Sequence, residues 1–77
     1  MTQSQPDDVR AQLRDALLEI LISKVRADQY PSATMMNMVD RGIDLKRLPE
    51  YAQVLMDKIE GSQYPSPDMM RRLTNLL

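Results

Sequence analysis

Apolar residues in the first third of the chain recur three and four positions apart. Val9, Leu13, Leu17, Ile20 and Leu21 share one helical face with Lys24, while Leu18, Ile22 and Val25 lie on the neighbouring stripe. The spacing predicts a helix over 7–27, with Pro6 in its first turn and Asp7 and Asp8 complementing the positive end of the helix dipole. Tyr30 precedes Pro31 and is pushed out of the helical region. Ser32 then stands where it can cap a short helix over 33–41, with Gly42 expected to stop it in a left-handed conformation. Ile43 to Leu48 reads as a connector with one helical turn. Pro49 opens a third helix over 49–60, with Tyr51, Val54, Leu55, Met56 and Ile59 as its apolar positions and Gly61 closing it. Ser66-Pro67-Asp68 is a second cap, and it starts a fourth helix over 67–75. No segment alternates apolar and polar residues for long, so strands are not expected and the fold class is all-α.

The chain also repeats itself. Leu21, Lys24, Gln29, Tyr30, Pro31, Ser32, Met35 and Met36 return unchanged 34 residues later as Leu55, Lys58, Gln63, Tyr64, Pro65, Ser66, Met69 and Met70. A fixed period marks one supersecondary unit used more than once. The expected architecture is one domain: a polar lead-in over 1–6, then two tandem helical hairpins, 7–43 and 44–77, forming a small four-helix array. Tetratricopeptide repeats have the same period, but their Trp, Leu-Gly, Tyr and Ala-Phe positions are missing and the second helix is too short. Tyr30 and Tyr64 are expected to pack under the two turns with their hydroxyls near water. The Met pairs, with Val39 and Leu73, are expected to fill the inner face of the short helices. An adaptable Met-rich binding surface is the alternative.

Size then bears on assembly. A chain of 77 residues is near the limit at which one core suffices, and it has no cysteine or histidine to supply disulfides or an ordinary zinc site. Self-association is the expected remedy. The apolar positions of the first helix cover more than half its circumference, more than one short neighbour can bury. Leu13, Leu17, Leu18, Leu21, Ile22 and Val25 are therefore the expected oligomer or partner interface, and the chain is expected to be a homo-oligomer.

Little chemistry is on offer. Without histidine or cysteine the usual proton shuttle and the thiol nucleophile are missing, and both glycines are accounted for as helix stops. Asp15 and Glu19 lie one turn apart and can share a cation, but at that spacing they read as a solvated face. The expectation is a protein that is not an enzyme and uses no cofactor and no metal. No apolar run approaches the ~20 residues that span a bilayer, and the lead-in lacks the basic and apolar parts of a secretory signal. No membrane partner and a cytoplasmic location are expected. The net charge is −1, which gives no global attraction to nucleic acid. The hairpins nevertheless resemble helix-turn-helix units in outline. The DNA-binding candidates on that view are Asn37, Arg41, Lys46, Arg47, Arg71, Arg72 and Asn75, since Arg and Asn suit guanine and adenine edges.

The stretch Leu17 to Asp44 joins a Leu/Ile-rich helix, Lys24-Val25-Arg26, the turn Asp28-Gln29-Tyr30-Pro31-Ser32, and a short helix ending Val39-Asp40-Arg41-Gly42-Ile43-Asp44. It resembles the small helical DNA-packaging proteins, or small terminase subunits, of short-tailed bacteriophages. Their similar segment couples an amphipathic helix, a Gly-containing turn and a short helix with an Asn-Gly-Ile-like stop. Here Asp28-Gln29-Tyr30 stands where the glycine is usual, and the second hairpin is additional. The resemblance implies a ring-forming, DNA-recognising phage accessory to a packaging motor, without catalytic residues of its own. The leading expectation is thus an oligomeric protein that recruits DNA or a packaging enzyme. Its rival is a helical inhibitor or adaptor that binds a partner protein through Met/Leu-rich faces. Positions that differ between the copies, such as Arg26/Glu60, Asn37/Arg71 and Met38/Arg72, are where specialisation is expected.

Overall fold

The computed structural model describes residues 6–77, so most of the lead-in lies outside the described residues. It contains four helices: α1 (Pro6–Ala27), α2 (Ala33–Gly42), α3 (Leu48–Gly61) and α4 (Pro67–Leu76). Each lies within one residue of the predicted ends, and no strand occurs among the described residues. The capping chemistry explains this agreement. The Ser32 hydroxyl accepts from the Met35 N–H at 3.1 Å, and the Ser66 hydroxyl accepts from the Met69 N–H at 3.3 Å. Each satisfies a donor that the first helical turn leaves unpaired. Asp44 does related work in the connector, where its carboxylate accepts from the Arg47 N–H at 3.0 Å and its carbonyl from the Leu48 N–H at 2.9 Å.

Gly42 differs from expectation, while Gly61 closes its helix as expected. No glycine has a positive φ, so neither Gly42 nor Gly61 forms a left-handed cap. Both are the last residues of ordinary helices, which end at extended Ile43 and Ser62. At Gly42 the missing side chain has a packing reason, because a Cβ there would stand 3.3 Å from Leu18 Cδ2.

Long helix packs on short helix in each half, α1 on α2 and α3 on α4, and α3 also crosses α1. Polar contacts fix the direction of that crossing. Arg47 at the start of α3 pairs with Asp15 and Glu19 in mid-α1, whereas Lys58 near the end of α3 donates to the carbonyls of Arg26 (3.1 Å) and Asp28 (2.6 Å). α1 and α3 therefore run the same way, and both turns lie at one end of the molecule. A cationic Lys58 also suits the negative end of the α1 dipole. The shared core joins Ile22, Val25, Met36 and Val39 of the first half to Tyr51, Val54, Leu55 and Met69 of the second.

The tyrosines of the turns are not packed beneath them. Tyr30 is 80% exposed and Tyr64 is 85% exposed. In the first turn Asp28 accepts from the Tyr30 N–H at 3.0 Å, and it is Pro31 that turns inward and is buried.

Candidate interaction surface

α1 is two-faced in a way that periodicity alone does not resolve. Leu18, Ile22 and Val25, expected at an interface between molecules, are buried inside this one. They face α2 and α3, which together cover the stripe that a lone short neighbour would leave open. Leu21 is half-buried against the same core. The exposed members of the predicted set are Leu13 (65%) and Leu17 (54%), joined by Val9 and Ile20, which the prediction omitted. These four residues are spaced four, four and three apart, so they form one continuous stripe over three turns of α1. Met38 on α2 is also exposed. Isolated exposed apolar residues are ordinary on protein surfaces, whereas these four large aliphatic side chains are aligned in one row.

The structure divides the basic candidates. Arg47 is nearly buried, with its Nε donating to Asp15 at 3.0 Å, its Nη2 donating to the same carboxylate at 2.9 Å, and Glu19 at 3.6 Å. The hydrogen bond to Asp15 raises its pKa against the opposing effect of burial. The one-turn Asp15/Glu19 pair thus holds a guanidinium. Arg72 is similarly engaged: it donates to Asp40 of α2 and, at 2.8 Å, to Asp68 of its own helix. Burial pushes the Arg72 pKa down, and the hydrogen bonds to Asp68 and Asp40 outweigh it. Neither arginine is free to meet a phosphate or a base edge.

Asn37, Arg71, Arg72 and Asn75 do come together, in an open cleft between α2 and α4 that also holds Asp40 and Asp68. Two carboxylates against two guanidiniums leave the cleft without net charge. Arg71 pairs with Asp68 at 2.8 Å, and Asp68 is held below the ordinary carboxylate pKa, first by its hydrogen bond from Arg72 and then by that from Arg71. Arg41 and Lys46 are exposed and lie outside this cleft.

Two further features were not visible in the sequence. Tyr51 is fully buried, and its hydroxyl faces the Asp40 carboxylate, whose Oδ1 is buried and which is its one polar neighbour for a hydrogen bond. Burial, followed by the charge of Asp40, raises the Tyr51 pKa. At the turn end, Tyr30 and Tyr64 flank a cleft of about 260 Å³ floored by Met36, Ile59 and Met69. No helix among the described residues is long and apolar enough to cross a membrane. The chain matches no family model, no curated protein and no solved structure.

Proposed function

We propose that this chain is a non-catalytic helical interaction protein, acting in the cytoplasm, whose working surface is the outer stripe of α1. The observation that carries this reading is the continuous exposure of Val9, Leu13, Leu17 and Ile20 on a helix whose opposite face already builds the core. An amphipathic surface of this kind presents anchors at successive turns to an apolar groove or another helix. A photo-reactive benzophenone residue at position 13 is the test, with one at exposed Ser23, about a quarter-turn away from the stripe on the same helix, as the control. Protein adducts from position 13 and none from position 23 are expected. Absence of adducts at position 13 refutes the reading.

A second reading, recruitment of duplex DNA in a packaging role, draws on the gathering of Asn37, Arg71 and Asn75 in one cleft and on the exposed Arg41 and Lys46. It ranks second because Arg47 and Arg72 are committed to carboxylates. Duplex binding that weakens with salt and is lost in Arg41→Glu/Lys46→Glu would reverse the order.

A further inference from the structure

Residues 34 positions apart in the repeat are not equally buried, and the differences sort into two faces. The second helix pair presents Arg47, Tyr51, Val54 and Lys58 to the first pair. The first pair receives them on Ile22, Val25, Met36 and Val39. Thirty-four residues before the presenting residues stand Leu13, Leu17, Ile20 and Lys24, which are all exposed. Thirty-four residues after the receiving ones stand Met56, Ile59, Met70 and Leu73, all apolar. Met56 and Met70 are each 39% exposed, and Ile59 and Leu73 are half-buried. Each molecule thus has an unfilled presenting face on α1 and an unfilled receiving face on α3 and α4.

We propose that these faces fill each other: the Leu13–Leu17–Ile20 face of one copy seats on the Met56–Ile59–Met70 face of a second copy, as α3 seats on α1 within each chain. The inference rests on the reading of the α1 stripe as the working surface, and it names the partner as this same chain.

Charge matching supports it. Inside the chain, presenting Arg47 meets Asp15 and Glu19, and presenting Arg72 meets Asp40. On the free faces the equivalent of Arg47 is Leu13, and the equivalents of Asp15 and Glu19 are Pro49 and Gln53. The equivalent of Arg72 is Met38, and that of Asp40 is Thr74. Where the arginine is replaced by an apolar residue, its carboxylates are gone too, so seating would strand no buried charge. The lysine is kept. Lys58 caps the carbonyls at the end of α1, and its equivalent Lys24 would reach the end of α3, where Glu60 stands in place of Arg26. Different patches meet in this contact, so it is head-to-tail. Such an interface grows into a filament or closes into a ring, according to its rotation.

Complementary single variants test this by sedimentation velocity. Leu17→Glu blocks only the presenting face, and Met56→Glu blocks only the receiving face. Both residues are exposed, and helical circular dichroism checks that the fold is retained. Ile20→Glu and Met70→Glu repeat the experiment on the same two faces. The wild type should form multi-copy species at about 200 µM. Each variant alone should run at the 8.9 kDa of one chain, and the equimolar mixture should run at twice that mass. Three results overturn the inference: a monomeric wild type, a Met56→Glu variant that assembles like wild type, or a mixture that stays monomeric. A monomeric wild type with protein adducts at position 13 leaves the interaction reading standing. Absence of adducts removes both.

Discussion

Ile22 and Leu17 lie five residues apart on α1, and truncating each to alanine separates the two faces of that helix. Ile22 is fully buried in the core shared by both halves. Ile22→Ala removes that burial and leaves a cavity, at a cost of about 3 kcal/mol. A chain of 77 residues has a total stability of about 4–12 kcal/mol at typical per-residue values, so the loss is a large fraction of it. Leu17 is 54% exposed, so truncation forfeits at most about 1 kcal/mol of burial. The better helix propensity of alanine offsets part of that, and the net change in dilute protein should be within about 0.5 kcal/mol. Urea unfolding followed by helical circular dichroism, at about 5 µM and about 200 µM, distinguishes the two because self-association stabilises the folded state only by mass action. Ile22→Ala should lower the midpoint at the lower concentration, while Leu17→Ala should lower it only at the higher one. Equal losses in dilute protein would refute the assignment of faces.

Other substitutions test the interior and its charges. Tyr51→Phe removes a buried hydroxyl that faces the Asp40 carboxylate and leaves that buried oxygen without a donor, so it should destabilise by about 1 kcal/mol in urea unfolding. The raised Tyr51 pKa means that above pH 10.0 the unfolded chain loses this proton first, so wild-type stability should fall with rising pH. Tyr51→Phe should lack that part of the alkaline loss. Asp68 has a depressed pKa, so its contribution is present above its ordinary value of 3.8 and is lost as pH falls through the lower folded-state value. Acid titration of Asp68→Asn should therefore show a shallower decline than wild type. Gly61 is helical and has open space around it, so Gly61→Ala should raise the melting temperature, with a gain of about 0.5 kcal/mol.

Local signals carried the helix boundaries, because Ser32, Ser66, Pro49 and Pro67 act through contacts a few residues away. Burial depends on distant partners and was less legible. The eight large apolar positions of α1 fit helical spacing equally well whether Leu17 or Leu18 faces inward, and only the seating of α2 and α3 decides between them. The arginines show the same limit. Arg47 and Arg72 look like free cations in the sequence, and their carboxylates Asp15 and Asp40 stand 32 residues away in each case. Tyr30 misled because the buried residue of its turn is the adjacent Pro31, a choice that no local spacing rule announces.

The most direct test of the head-to-tail contact uses the absence of cysteine from the chain. Leu17→Cys and Met56→Cys place single thiols on the presenting and receiving faces. Mild oxidation of the equimolar mixture should give the mixed disulfide dimer in preference to either homodimer, and the double variant should give a ladder in steps of 8.9 kDa. Homodimers of Leu17→Cys alone, or no cross-linking in the mixture, would contradict the account.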